Sequence, residues 1–122
     1  MIIAVLDDLL FSIKIKTAAK ALNAEVYFER APEQVLPSIR LKAPRLVIFD
    51  LDSARMRPMD AIAAMKADAA LQGIPTLGFV SHVHHDVIAR ARAAGVDQVL
   101  ARSAFVTRLG SILDPSADAS TT

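Results

Sequence analysis

The sequence predicts an open, doubly wound α/β fold: a single domain with a five-stranded parallel sheet and helices on both faces. Short, largely apolar runs alternate five times with stretches whose apolar residues recur at helical spacing. Such an alternation produces right-handed crossovers and therefore parallel strands. The chain has 122 residues, which suits one domain and leaves no room for a second with its own core.

The predicted strands are five short segments. They span residues 2–6, 24–28, 46–49, 76–80 and 96–101. The runs 2–6 and 46–49 are apolar at every position, which is typical of strands buried on both faces of a parallel sheet. The run 46–49 ends at Asp50, and we predict that it is the central strand.

The predicted helices fill the intervals between these runs. They cover residues 10–22, a segment after Pro32, and residues 59–71, 86–94 and 104–113. In the first helix, helical spacing predicts a buried stripe that comprises Leu10, Ile13, Thr17, Ala18, Ala21 and Leu22. Asn23 and Gly95 are predicted to end helices, and Pro37 should kink or shorten the second one.

Composition excludes several classes of protein. The chain has no cysteine, which excludes disulfides, thiol catalysis and cysteine-held metal sites. Its 14 basic and 13 acidic residues leave a net charge of +1, so direct nucleic-acid binding is not expected. No apolar run approaches a membrane span, and the N-terminus lacks a signal-peptide pattern. We expect a cytoplasmic domain over residues 1–113, with a disordered tail or linker at 114–122.

Polar residues directly follow the predicted strands, where ligands of doubly wound folds bind. They are Asp7, Asp8, Asp50, Asp52, Ser81 and Arg102. Clustered carboxylates repel one another unless they are protonated, neutralised by a cation or used to hold a metal. Oxygen-only ligands suit Mg²⁺, and a carboxylate beside that metal can act as a nucleophile toward phosphorus.

Asp7, Asp8, Asp50 and Ser81 lie within motifs that resemble the two-component response-regulator receiver domain, a flavodoxin-like (βα)5 fold. The motifs are Val5-Leu6-Asp7-Asp8, Leu46-Val47-Ile48-Phe49-Asp50, Val80-Ser81 and Ala93-Ala94-Gly95-Val96-Asp97. The resemblance implies that Asp50 accepts a phosphoryl group and that Ser81 contacts it. It also implies that Mg²⁺ binds the carboxylates of Asp7, Asp8 and Asp50 and the main-chain carbonyl of Asp52.

The resemblance further implies partners. A histidine kinase or phosphotransfer protein would supply the phosphoryl group, and a downstream protein would receive the signal by contact. The surface of the fourth helix, fifth strand and fifth helix would mediate that contact or a homodimer. Chemistry by the protein itself would be limited to accepting the phosphoryl group and losing it again.

Three departures from the receiver pattern bear on this function. Arg102-Ser103 stands where receivers have lysine followed by proline, and arginine is not a conservative replacement for lysine. About four extra residues, including Arg55 and Arg57, precede Pro58. Val99 occupies the position of the usual aromatic switch residue.

Alternatives remain open at this point. Arg102 could contact a phosphoryl group or pair permanently with Asp50, and the second case favours a pseudo-receiver that binds proteins independently of phosphorylation. The three acids could instead be helix-capping or solvated residues. A small-ligand or enzyme domain is disfavoured because no glycine-rich loop follows the first strand. The run His82, His84, His85 and Asp86 is predicted to be a solvated loop rather than a metal site.

Overall fold

The computed structural model describes residues 1–81 and 85–116. The strands are β1 (Ile2–Val5), β2 (Val26–Glu29), β3 (Leu46–Asp50), β4 (Thr76–Val80) and β5 (Gln98–Ala101). The helices are α1 (Leu9–Ala21), α2 (Val35–Lys42), α3 (Pro58–Ala67), α4 (His85–Ala94), α5 (Arg102–Thr107) and α6 (Leu109–Leu113). Among them, no helix combines the length and apolar character needed to cross a membrane.

The five strands form one parallel sheet in the order β2-β1-β3-β4-β5, which confirms the predicted fold class. Strand order reverses between β1 and β3, and this reversal opens a crevice at their carboxyl ends. Asp7 and Asp8 follow β1, and Asp50 ends β3. The acids predicted to form a site therefore lie on either side of the switch point, the position in the sheet where the strand order reverses.

Buried apolar side chains form one cluster on each face of the sheet. Alternate residues of β3 supply both clusters: Val47 and Phe49 point to one face and Ile48 to the other, as the period of two in a strand requires. The apolar runs of β1, β3 and β4 thus correspond to strands covered on both sides, whereas the edge strands β2 and β5 are largely half-buried or exposed. The cluster under α1, α5 and α6 contains a contacting trio of rings, Phe11, Phe79 and Phe105.

The buried stripe predicted for α1 is wrong. Leu10 is 81% exposed and Ile13 is 58% exposed, and Thr17 and Ala21 are also exposed. The helix instead buries Phe11, Ser12, Ile15 and Ala19. Both stripes have helical spacing, but only the buried one brings the Phe11 ring within 5.0 Å of Phe79, centroid to centroid. The packing of aromatic rings selected the rotation of the helix.

The second helix forms despite Pro37. A 3-10 turn at Pro32–Gln34 leads into α2, and Pro37 is the third residue of that helix. An N–H in the first turn has no intrahelical acceptor, so the missing donor removes no hydrogen bond. Proline therefore shapes the start of this helix without breaking it.

Several predicted boundaries shift; the second strand, for example, spans Val26–Glu29 rather than residues 24–28. The third helix ends at Ala67 rather than residue 71, because the Asp68 carboxylate accepts a hydrogen bond from the Ala70 N–H and stabilises a turn. The fifth strand begins at Gln98 rather than residue 96. The last predicted helix consists of two segments that meet at Arg108. Of the tail predicted at 114–122, residues 117–122 lie outside the described part of the chain.

Two predicted helix ends are confirmed. Asn23 after α1 has φ 59°, and Gly95 after α4 has φ 109°. Asparagine tolerates the left-handed region, whereas the Gly95 conformation is one that side chains rarely adopt. A Cβ atom at Gly95 would also lie 2.5 Å from Lys66 Cγ.

Replacing Gly95 with alanine should therefore destabilise the protein. We expect Gly95→Ala to lower the free energy of unfolding by about 1–3 kcal/mol, the usual strain for a residue in a sparsely populated backbone region. Urea denaturation followed by circular dichroism measures this change. The control is Gly110→Ala, since Gly110 lies within α6 with no atom within 4 Å of an added Cβ; it should be neutral or slightly stabilising. Equal losses in the two variants would contradict the prediction.

Candidate functional site

Strand register brings the predicted site residues to one edge of the sheet. Val5 of β1 pairs with Phe49 of β3, so Asp7 and Asp50 leave the sheet from neighbouring strands. On the other side, Asp50 pairs with Phe79 of β4. Val80 and Ala101 are likewise paired across β4 and β5. The residues that follow them, Ser81 and Arg102, therefore leave the same edge.

Asp50 is the central acid, and it is only 5% exposed. Its Oδ1 accepts a hydrogen bond from the Asp52 N–H at 3.0 Å. Burial raises the pKa of Asp50 above its ordinary value, and the Asp52 N–H and the Arg102 charge only partly oppose this effect. The charges of Asp52 and Asp7 raise the pKa further. A buried carboxylate among other acids is costly to ionise, so this group favours a cation at its side.

Arg102 supplies a cation at this edge. It is the first residue of α5, and its Nη2 lies 3.7 Å from Asp8 Oδ2 and 4.0 Å from Asp50 Oδ2. Both distances exceed those of charge-assisted hydrogen bonds, about 2.7–2.9 Å. Arg102 therefore neutralises two carboxylates without forming a bidentate pair with either.

Aromatic rings hold the Arg102 guanidinium in place. Its central carbon lies 4.4 Å from the centroid of the Phe11 ring and 5.6 Å from that of Phe79. Cation–π contacts of this kind contribute about 0.5–2 kcal/mol. The Arg102 Nε is buried and donates to no other group among the described residues. This stacking ties the site to the aromatic trio under α1.

Asp7 and Asp8 have different roles in the structure. Asp8 is the N-cap of α1, and its Oδ1 accepts a hydrogen bond from the Phe11 N–H at 3.0 Å, while its Oδ2 faces Arg102. Asp8 therefore caps a helix, as one of the alternative interpretations of the three acids predicted, and it also lies in the candidate site. Asp7 caps no helix. Its carboxylate oxygens contact Ser53 and Arg55 instead.

Asp52 and Ser81 are linked directly to each other. Both the N–H and the hydroxyl of Ser81 donate to Asp52 Oδ2, the N–H at 2.6 Å. The Asp52 N–H in turn donates to Asp50. The structure thus connects Ser81 to Asp50 through Asp52 rather than by a direct hydrogen bond.

The donor set suits Mg²⁺, because every side-chain ligand is a carboxylate or hydroxyl oxygen. In this arrangement, however, each carboxylate already has a partner within the protein: Asp7 has Ser53, Asp8 has Arg102, and Asp52 has Ser81. Within residues 1–81 and 85–116, no group of three or more histidine or acidic residues converges to hold a metal ion. Binding of a metal ion at Asp7 or Asp8 therefore competes with the contacts that these carboxylates already make.

The run of His82, His84, His85 and Asp86 is predicted to be a loop, but its two described residues belong to a helix. His82 and His84 fall outside the described residues, whereas His85 and Asp86 are exposed at the start of α4. Sequence reasoning missed the contacts of three residues: Ser53 and Arg55, which contact Asp7, and Phe11, whose ring lies against Arg102. The inserted loop before Pro58 was the one local signal, since it contains Arg55, but no motif marks Ser53 or Phe11.

No protein-family model matches the chain, and no curated protein matches it. Solved structures do match it. The phosphorylated cyanobacterial phytochrome response regulator RcpA aligns with a TM-score of 0.76 at 22% identity, over 99% of this chain and 95% of its own.

Two further structures show the same likeness. The chemotaxis response regulator CheY4 of Vibrio cholerae aligns with a TM-score of 0.79 at 15% identity, over 92% of this chain and 93% of its own. The response regulator Rcp1, in its Mn²⁺-bound form, aligns with a TM-score of 0.75 at 14% identity, over 91% of this chain and 90% of its own. The chain therefore has the receiver-domain fold of response regulators, as its sequence motifs predict.

Proposed function

We propose that this protein is a signalling receiver that accepts a phosphoryl group on Asp50. The observation that carries the proposal is the position of Asp50: it ends the central strand, beside Asp7 and Asp8 at the switch point and with the Arg102 cation 4.0 Å away. A nucleophile, acidic neighbours and a cation meet where this fold binds ligands. The structural neighbours are response regulators, which agrees with that role.

In the proposed reaction, an Asp50 carboxylate oxygen attacks the phosphorus of a phosphohistidine on a histidine kinase or phosphotransfer protein. The new O–P bond forms as the N–P bond breaks, and the histidine nitrogen leaves with the electron pair. The Arg102 guanidinium would stabilise charge on the transferred phosphoryl oxygens. The Ser81 hydroxyl would exchange its bond to Asp52 for one to a phosphoryl oxygen.

Mg²⁺ belongs to this proposal. The carboxylates of Asp7, Asp8 and Asp50 and the main-chain carbonyl of Asp52 would hold it. When bound, the ion would neutralise charge on the phosphoryl group and its acceptor. Two observations support it: the oxygen-only donor set at this edge, and a structural neighbour crystallised with Mn²⁺.

The output of the receiver is proposed to be protein contact. The surface formed by α4, β5 and α5 would bind a downstream protein or a second copy of the chain. Val99 on β5 is partly buried and has no ring to rotate, so the signal would have to travel by a route other than an aromatic residue at this position.

A second candidate function is a pseudo-receiver that binds a partner independently of phosphorylation. The ion pairs of Arg102 with Asp8 and Asp50 favour it, because an internal cation already neutralises the acids that a metal would otherwise neutralise. Under this alternative, Arg102 holds the site in a single conformation. The altered loop before α3 contributes to the surface that binds the partner.

Beryllofluoride with Mg²⁺ mimics a phosphoryl group on an aspartate and tests the first candidate. In amide NMR spectra of the wild-type protein, we expect shifts near Asp7, Asp8 and Ser81 that extend into α4. Asp50→Asn should abolish them, since it removes the attachment oxygen without changing the size of the side chain. Asp60→Asn, an exposed acid on α3, is the matched control and should behave as wild type. A folded wild-type protein that gives no response would favour the pseudo-receiver.

The variant Arg102→Gln distinguishes the two possible roles of Arg102, because the two roles predict opposite changes in the affinity for beryllofluoride. If Arg102 contacts the phosphoryl group, the variant should bind beryllofluoride about 10- to 150-fold more weakly, because a hydrogen bond to a charged group contributes about 1.5–3 kcal/mol. Arg108→Gln, an exposed arginine at the junction of α5 and α6, should have no effect. Tighter binding by Arg102→Gln would show instead that the arginine blocks Asp50, as the pseudo-receiver requires. NMR titration measures both affinities.

The raised pKa of Asp50 makes its ionisation destabilising. Because the folded protein binds this proton more tightly than the unfolded chain does, stability falls as the pH rises from the unfolded pKa of about 3.9 through the folded pKa. Asp50→Asn should therefore be more stable than wild type at pH 7, by more than the roughly 0.5 kcal/mol typical of surface substitutions. The gain should shrink toward pH 4. Denaturant unfolding at several pH values measures it.

Asp68→Asn is the control with the opposite sign. The hydrogen bond from Arg40 lowers the pKa of Asp68, so its ionised form stabilises the fold above the unfolded pKa, and this contribution is lost as the pH falls. This variant should be less stable than wild type at pH 7, and the difference should vanish in acid. A loss of stability at pH 7 in Asp50→Asn would contradict the assignment for Asp50.

A further inference from the structure

The segment between β3 and α3, residues 51–57, holds both carboxylate oxygens of Asp7. The Ser53 hydroxyl donates to Asp7 Oδ1 at 2.9 Å. The Arg55 guanidinium lies on the other oxygen, with Nη1 3.5 Å from Oδ2. One loop therefore contacts an acid that belongs to a different strand end.

Further contacts fix this loop in place. The Ser53 hydroxyl oxygen accepts a hydrogen bond from the Met56 N–H at 3.4 Å, and Met56 is almost completely buried in the core cluster beneath α3. The Arg55 Nη1 also donates to the Arg30 main-chain carbonyl at 2.8 Å. Arg30 directly follows β2, so the loop spans from β3 across Asp7 to the end of β2.

We infer that Ser53 and Arg55 are positioning residues that form a latch on Asp7 and compete with Mg²⁺ for its carboxylate. The inference rests on the proposed Mg²⁺ binding. While the latch is closed, Asp7 is neutralised and bonded within the protein. A cation that binds Asp7 repels the Arg55 guanidinium from Oδ2, and because the same Nη1 also donates to the Arg30 carbonyl, it disturbs that hydrogen bond too.

The latch couples the metal site to α3. Residues 51–57 lead directly into Pro58, the first residue of α3. If cation binding releases the loop, then holding the loop closed must weaken cation binding by the same factor, because coupling between two sites is reciprocal. Cation binding at Asp7 would thereby change the start of α3 without any contact between the ion and that helix.

Arg57 provides a matched control within the same loop. It carries the same charge two residues away, is exposed, and its side chain forms no ion pair or hydrogen bond with any residue in the described ranges. Arg55 is also exposed, at 61% of its side chain, so neither substitution should disturb folding. A difference between Arg55→Gln and Arg57→Gln therefore reports the contact with Asp7 rather than net charge.

The experiment is an amide NMR titration with Mg²⁺ of the full chain and its variants. An exposed ion pair contributes about 0.2–1 kcal/mol, so Arg55→Gln should tighten Mg²⁺ binding by a factor of about 1.4 to 5, and Arg57→Gln should change it less. Ser53→Ala should shift the affinity in the same direction as Arg55→Gln. In the wild type, Mg²⁺ should also shift the amides of Arg30 and Ala31; in Arg55→Gln that response should be lost.

Each result has a definite meaning. Equal Mg²⁺ affinities for Arg55→Gln and Arg57→Gln, or weaker binding by Arg55→Gln, would overturn the latch while leaving the proposed metal site intact. If neither the wild type nor any variant binds Mg²⁺, the latch and the metal site both fail, and the beryllofluoride experiment decides the phosphoryl role separately. If Arg55→Gln binds Mg²⁺ and the wild type does not, the result would support a latch that prevents Mg²⁺ binding altogether.

Discussion

The crowding of carboxylates at the carboxyl edge of the sheet is the constraint on which the rest of the site depends. Parallel strands end side by side, so Asp7, Asp8 and Asp50 are brought together whether or not their charges are compensated. Like charges in a partly buried site repel strongly. The structure compensates them with a backbone N–H for Asp50, a helix terminus for Asp8, and the guanidinium of Arg102. The proposed functions of the protein differ in which of these partners the carboxylates can exchange for another.

Arg102 connects this compensation to the hydrophobic core. A lysine could neutralise the same acids as a point charge, but it has no planar group to stack on an aromatic ring. Here the guanidinium lies over Phe11, and Phe11 packs against Phe79 and Phe105. Movement of Arg102 toward a phosphoryl group would therefore alter the packing of the aromatic trio and of α1 and α5. Although position 99 has no aromatic residue, the site still contains an aromatic ring, that of Phe11, which could respond to a movement of Arg102.

The rotation of α1 shows where sequence periodicity is insufficient. The helix has two apolar stripes, one with Leu10 and Ile13 and one with Phe11 and Ile15, and both satisfy helical spacing. Packing chose the stripe with the large ring, and the other remains on the surface with Leu9. Periodicity identified the helix correctly but could not rank two stripes of similar hydrophobicity, because that ranking depends on the shape of the cavity that receives them.

The sequence by itself determined the fold class and the alternation of five strands with helices. It located the ends of β1, β3 and β4 most clearly, because a strand buried on both faces is apolar along its length and polar residues follow where it stops. It also placed Asp50 at the centre. Only the tertiary structure decided the partners: Asp7 with Ser53 and Arg55, Asp52 with Ser81, and Arg102 with Phe11. These pairs join residues far apart in sequence, and their distances depend on how loops pack over the sheet, which no local pattern records.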